Sequence, residues 1–371
     1  MNYARNPPNS AKTEAQAEML ANRLIKRRKH LGKWACRTGA GVYRLYDRDI
    51  PEIPLILDLY EPSRAQESPI LAGAIYKRPY EKDDAEEAAW LGAMREAAAA
   101  ALNINPENVI LRERKKQRGS SQYGRLADKA LRREVCEYGL RYRVNLSDYL
   151  DTGLFPDRRL LRALVRRETA SRSETASCNV LNLFCYTASL SVAAAAGGAA
   201  KVDSVDISNT YLDWARDNFA LNGMEAVLVK EGEFFTRAGS AAPFSLIRSD
   251  ALQFIEEARR RSVRWDMILL DPPAFSNSKK MRDDFDLKRD HGALIAKCLP
   301  LLNPGGVLYF SANVKGFTLD TETPERGHFR RKLSPAITNI TEQLRDEDFK
   351  GRRIPETWRI GSSPCGGSGT K

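Results

Sequence analysis

Apolar positions along the chain follow two rhythms in succession. Over residues 10–31, Leu20, Leu24, Ile25 and Leu31 recur at helical intervals, and Arg23, Lys26, Arg27, Arg28 and Lys29 crowd the positions between them. Thr13 and Gln16 have capping-box spacing and Gly32 is a stop signal, so one basic helix is predicted. From Gly41 the period shortens. Residues 42–46, 55–60 and 70–76 predict strands, with Asp47, Asp49, Pro51 and Pro54 marking the first turn. Residues 84–102, rich in Ala with Trp90, Leu91 and Met94, predict a long helix. Residues 109–112 and 134–144 predict two more strands around a polar, basic segment, 113–133. The order describes a small α+β domain.

After about residue 155 strands and helices alternate. A basic amphipathic helix (158–167) precedes strands at 180–184, 201–206, 245–248, 267–271 and 306–311. Helices are expected from 188, over 208–221 and 251–260, and near 288–302. Apolar strands alternating with helices predict an α/β, Rossmann-like parallel sheet. The expected organisation is a basic helical arm (1–39), an α+β accessory domain (40–154), a sheet domain (155–360) and a disordered Gly/Ser-rich tail (361–371).

Composition narrows the class. The chain has 371 residues, 42% hydrophobic and 29% charged, enough apolar content to bury a core. No stretch approaches the roughly 18 apolar residues of a membrane span, and the polar N-terminus lacks a signal-peptide core, so no membrane role is expected. Six cysteines without a CxxC pair and three histidines argue against zinc or a disulfide framework, and for a reduced, cytoplasmic protein. The net charge of +11 is uneven: +7 over residues 1–50, −6 over 51–110, +7 over 111–145 and +3 over the rest. Two basic blocks suit phosphate binding, with Arg114, Lys115 and Lys116 the expected RNA contacts of the second. A solvated basic face is the other reading of charge alone.

In an open α/β sheet, ligands bind beyond the carboxyl ends of the strands. The first strand ends in Phe184-Cys-Tyr-Thr-Ala-Ser189 and the second in Asp206, placed to accept from two ribose hydroxyls or to serve as a surface carboxylate. Asp250 follows the third, where an adenine amine is read, and the fourth ends in Asp271-Pro-Pro-Ala-Phe-Ser-Asn-Ser278. The first turn has no GxGxxG, so a pyrophosphate cradle and a nicotinamide dehydrogenase are disfavoured. A ligand with ribose and adenine but no phosphate fits better, and S-adenosyl-L-methionine is the candidate. Pro272 and Pro273 stiffen the turn, Asp271 and nearby carbonyls can accept from a base edge, and Phe275 offers a stacking face. The alternative is that the prolines merely end a strand and Phe275 is core.

Several segments together resemble one family: residues 145–158 (NLSDYLDTGLFPDR), 181–189 (LNLFCYTAS), 271–279 (DPPAFSNSK), 21–27 and 42–49. The likeness is to the bacterial 23S rRNA guanine-N7 methyltransferases, the K half of the bifunctional RlmK/L enzymes, over residues 18–360. It implies a class I methyltransferase sheet behind an accessory RNA-binding domain. It implies that Phe184, Tyr186 and Thr187 line the methionine side of the cofactor, and that Asp206, with Ile207 and Ser208, holds the ribose. Asp250 and Ala251 would meet the adenine edge, Asp157 and Arg158 border the pocket, and Ser276, Asn277 and Lys279 contact RNA. Three departures stand out. Ala188 occupies a position usually held by Gly, 224–243 reads as a loop insertion, and the guanine-N2 half is missing, which leaves the basic blocks or a separate N2 methyltransferase to find 23S RNA or a large-subunit precursor.

Guanine N7 has an exposed lone pair, so positioning and electrostatics suffice, without an obligatory base or nucleophile. Asp271 would orient the base. No cysteine stands in the Asp271 turn or just after the fifth strand, which argues against cytosine-C5 chemistry. An exocyclic-amine RNA methyltransferase (guanine N2 or adenine N6) and a non-catalytic RNA-binding assembly protein are the competing readings.

Overall fold

A buried hydrogen bond ties the first helix to the second: the indole N–H of Trp90 donates to Gln16 at 2.7 Å. Gln16 is therefore a core residue, and the expected capping box at Thr13 does not form, since the helix already begins at Ser10. The computed structural model describes residues 10–63, 66–76, 83–113, 131–148, 151–236, 242–276, 285–320 and 336–361. It divides into two units, Met1–Thr152 with Glu347–Arg352, and Gly153–Asp346 with Arg353–Lys371. Arg114, Lys115, Lys116, Asn277, Lys279 and the tail from 362 lie outside the described residues.

The first unit contains α1 (Ser10–Thr38), β1 (Val42–Asp47), β2 (Leu55–Tyr60), β3 (Ile70–Ile75), α2 (Asp84–Leu102), β4 (Val109–Glu113), β5 (Arg132–Glu137) and β6 (Leu140–Asn145). Strands β1 to β4 form one sheet in chain order, antiparallel except for the β3–β4 pair, which α2 connects in parallel. The predicted arm is not separate. Leu20, Leu24, Leu31 and Trp34 of α1 share one core with Leu57, Leu59, Trp90 and Met94. Gly32 does not stop this helix, because Trp34 and Ala35 extend its buried stripe beyond it. Burying an aromatic outweighs the roughly 1 kcal/mol cost of an interior glycine. The strand expected over 134–144 is a hairpin. Tyr138 (φ 50°) and Gly139 (φ 81°) both take positive φ between β5 and β6, the geometry of a tight hairpin turn.

The second unit runs α3 (Arg159–Ser173), β7 (Asn179–Leu183), α4 (Ser189–Ala196), β8 (Lys201–Asp206), α5 (Asn209–Leu221), β9 (Val227–Lys230), α6 (Glu231–Thr236), β10 (Phe244–Arg248) and α7 (Ala251–Arg260). It continues with β11 (Trp265–Leu270), β12 (Phe275–Ser276), β13 (Phe285–Asp286), α8 (Leu287–Cys298), β14 (Leu302–Ala312), β15 (Ala336–Asn339) and β16 (Glu356–Gly361). Eight strands form one sheet in the order β15-β16-β14-β11-β7-β8-β10-β9. All neighbours are parallel except that β16 runs antiparallel to β14 and β15. This is the class I methyltransferase sheet. From β7 the chain builds outward through β8 and β10, then returns to lay β11 on the other side, so order reverses at β7. Such a reversal opens a crevice at the strand ends. Leu181, Leu183, Ile247, Trp265, Leu270 and Phe310 belong to the core beneath it.

Two expectations need correction. Residues 227–236 of the supposed loop insertion are β9, an exposed edge strand, and α6. The basic helix α3 keeps Arg167 exposed but not all of its arginines. Arg159 is fully buried on Asp346 at 2.8 Å, and buried Arg162 donates to the Phe155 carbonyl at 3.1 Å.

Gln16→Leu leaves the Trp90 N–H buried without its acceptor. The expected cost is about 1–3 kcal/mol, read as a lower urea midpoint at unchanged slope; an unchanged midpoint would remove this bond from the core.

Candidate active site

Three strand ends meet at the reversal. Register pairs Leu183 with Val205 of β8 and Leu270 of β11, so the turns that follow start side by side. The turn after β7 puts three non-glycine residues into left-handed backbone within five positions: Phe184 (φ 57°), Tyr186 (φ 52°) and Ala188 (φ 57°). Each costs on the order of 1–2 kcal/mol and persists only where surrounding bonds demand it. At position 188 that conformation favours glycine, and alanine adopts it with its methyl fully buried.

Those surrounding bonds come from neighbouring loops. The Tyr186 N–H donates to Asp206 Oδ2 at 2.9 Å, and the Ser208 N–H donates to Asp206 Oδ1 at 2.9 Å. Thr187 is fully buried, and its hydroxyl donates to the Gly153 carbonyl at 2.6 Å. The Thr187 side chain thereby anchors the turn. Gly153 has φ +91°, and a Cβ there would lie 2.1 Å from the Trp214 ring, so no other residue fits. This explains the glycine in the Asp151-Thr-Gly-Leu-Phe-Pro-Asp-Arg158 motif.

The other predicted cofactor residues sit at the same strand ends. Ser208 caps α5 by accepting from the Tyr211 N–H at 3.4 Å, and Ile207 is half-buried beside Asp206. Asp250 caps α7, accepting from the Leu252 and Gln253 N–H groups at 2.8 and 3.3 Å through Oδ1 alone, and Ala251 is buried at the helix start. Burial pushes the Asp206 carboxyl up to about 6, against the partial relief of its backbone N–H donors.

Arg158 and Asp271 close on each other. Nε donates to Asp271 Oδ2 at 2.8 Å and Nη2 to Oδ1 at 2.6 Å, a fork between two motifs 113 residues apart. Burial opposes the Arg158 charge, but the Asp271 carboxylate outweighs it and the guanidinium stays above its usual value. The third nitrogen, Nη1, is buried without a hydrogen-bond partner among the described residues, and so is Asp157 Oδ1. Pro272 is buried and Pro273 half-buried. Phe275 is 51% exposed, which overturns the reading of it as core. With Ser276 it forms β12, paired with β13.

Sequence reasoning placed Arg158 at the pocket's border but missed its pairing with Asp271. It also missed the aromatic group around Tyr186. Phe155 stacks on that ring at 5.4 Å, Tyr211 meets it edge-on at 4.5 Å, and Trp214 lies at 6.4 Å. Tyr211 and Trp214 stand three apart on α5, a spacing that puts both on one face, and that was the available signal. Among the described residues no cluster could hold a metal and every cysteine is free. Burial raises the Cys185 thiol well above its ordinary value, which removes it as a nucleophile. No described helix is long and apolar enough to cross a membrane.

A model of the S-adenosylmethionine-dependent methyltransferase family matches residues 70–326. The chain belongs to that family. The protein named ribosomal RNA large subunit methyltransferase K/L from Pseudomonas putida is 42% identical over 353 residues, which cover 94% of this chain and 43% of that one. The chain thus spans less than half the length of this relative. Among solved structures, a Streptococcus mutans methyltransferase superposes with a TM-score of 0.65 at 21% identity, over 93% of this chain and 81% of its own. A methyltransferase solved with SAH matches at 0.65 and 20%, over 93% and 82%. At these identities the structures establish the fold of this methyltransferase.

Asp206 gives a pH prediction. Between its ordinary 3.8 and about 6, the folded state binds the proton more tightly, so rising pH through that window lowers stability through this group. Ribose hydroxyls need the ionised form. S-adenosylmethionine affinity should therefore fall about tenfold per pH unit below the transition in calorimetric titrations, and Asp206→Asn should bind weakly with no such dependence. Equal pH dependence in both proteins would contradict the assignment.

Proposed function

We propose that this methyltransferase transfers a methyl group to N7 of a guanine in large-subunit ribosomal RNA. The single observation that carries the atom choice is the fork on Asp271. Both oxygens of the one carboxylate in the Asp271-Pro-Pro turn accept from Arg158, which neutralises it. A carboxylate with both oxygens so engaged is a well-fixed hydrogen-bonding group rather than a free one. N7 methylation requires no proton removal before attack, whereas exocyclic amines must lose one. The ribosomal RNA substrate is supported by the relative's name and by the segments quoted for the family.

The residues fit S-adenosylmethionine. Its methionine end carries a carboxylate and an ammonium, the complements of the unpartnered Arg158 Nη1 and Asp157 Oδ1. Asp206 would accept from the ribose hydroxyls, Asp250 from the adenine amine, and Phe184 and Tyr186 would wall the methionine side, while Ala251 and Ile207 flank the adenine and ribose. When bound, the cofactor supplies an electrophilic methyl on a sulfonium.

The chain's own part is positioning. Pro272 and Pro273 stiffen the turn, Arg158 holds Asp271, and Asp271 orients the base edge with its remaining lone pairs. Phe275, exposed on β12, stacks on a guanine taken out of its helix, and Ser276 stands next to it for the ribose-phosphate. The proposed partners are large-subunit ribosomal RNA and a separate guanine-N2 methyltransferase.

Unmodified 23S RNA incubated with protein and methyl donor, then digested, should contain 7-methylguanosine. Phe275→Ala should slow its formation by about tenfold or more while S-adenosylmethionine affinity stays unchanged. N2-methylguanosine or N6-methyladenosine as the product would overturn the N7 assignment, and cofactor binding without any methylated nucleoside would favour an assembly protein.

A further inference from the structure

The cations of α1 fall into two sets. Arg23, Arg27 and Arg28 point back into the first unit. Arg23 pairs with Asp49, Arg27 reaches the carbonyls of Arg44, Leu45 and Asp348, and Arg28 pairs with Glu61 and Tyr43. Lys26, Lys29, Lys33 and Arg37 are all exposed, and none has an acidic partner among the described residues. At 3.6 residues per turn these four share one face and span about 16 Å of helix. They line a groove of about 470 Å³ whose floor includes Trp34. That indole is 8% exposed and braced edge-on against Tyr43 at 6.2 Å. The acid of the groove, Glu347, is already taken up by His30 at 2.9 Å and Lys350 at 2.6 Å.

We infer that this face of α1 is a docking surface for the phosphodiester backbone of the RNA substrate. The inference rests on the RNA reading proposed above and adds the place where the strand is held. The sorting of residue types supports it. The guanidinium groups of Arg23, Arg27 and Arg28 hold carboxylates and carbonyls within the unit, whereas three flexible, strongly hydrated ammonium groups and the Arg37 guanidinium face outward, where charges follow a backbone without reading bases. A helix face with four exposed cations and no acidic partner among the described residues attracts a polyanion. The apolar wall of Trp34 gives a sugar or base edge something to lie against.

The test is fluorescence-anisotropy binding of a labelled 23S RNA transcript across a salt series. It compares the native chain with the fourfold variant Lys26→Gln, Lys29→Gln, Lys33→Gln, Arg37→Gln. Glutamine is a good helix former at exposed positions, and circular dichroism with S-adenosylmethionine titration verifies that the fold and cofactor site remain. A control removes the same charge elsewhere, through Arg95→Gln, Lys201→Gln, Lys230→Gln and Arg264→Gln. The variant should bind at least about tenfold more weakly and lower the log–log salt slope by about three units, with the control close to native. Native-like affinity and slope in the variant, or an equal loss in the control, would overturn the docking face while leaving the RNA reading intact. No RNA binding by the native chain at low salt would overturn the RNA reading itself.

Discussion

A buried guanidinium and a partly exposed carboxylate hold each other in a two-bond fork, and the carboxylate keeps the guanidinium charged where burial alone would penalise it. Arg158 is 7% exposed, and its fork with Asp271 joins the loop that enters the sheet domain to the turn after its central strand. The rest of the site hangs from that pair. Gly153, five residues upstream, receives the hydroxyl of Thr187, and Thr187 sits in the strained turn that Asp206 holds from the other side. Three loops that begin at different strand ends are thereby locked to one another by charge-assisted and backbone bonds. The strain stored at Phe184, Tyr186 and Ala188 is sustained by this closure.

The same pairing decides what chemistry the Asp271 turn is suited to. A free aspartate at the mouth of a crevice serves as a base. One already engaged on both oxygens by an arginine is a fixed hydrogen-bond acceptor. That matches an acceptor atom that brings its own lone pair. Charge elsewhere follows a related division. Arg23 and Arg28 of α1 and Arg159 of α3 are engaged in internal pairs, whereas Lys26, Lys29, Lys33 and Arg37 stay exposed on α1.

Much of this was legible in the residues because burial and periodicity coincide. Strands β2 and β8 and helices α2 and α7 fall at their predicted residues, since each is bounded by turn or capping residues and carries one clear period. The hairpin at Tyr138 was hidden because the alternation continues through its turn, and β9 because an exposed edge strand has no buried face to mark it. At the site, Asp206, Asp250 and Asp271 stood out as strand-end carboxylates. Their hydrogen-bond partners did not, because a fork across 113 residues leaves no local spacing to read. The anchoring role of the Thr187 side chain was equally invisible, because its acceptor, the Gly153 carbonyl, lies 34 residues away.

The central claim is that Arg158 and Asp271 act as one unit, and a double-mutant cycle on urea stability addresses it most directly. Arg158→Met and Asp271→Asn should each destabilise by about 3 kcal/mol, because each leaves a buried charge without its partner. The double variant should lose far less than their sum, giving a coupling of about 2 kcal/mol or more. Additive losses would contradict the account and leave the two residues as independent contributors to the fold.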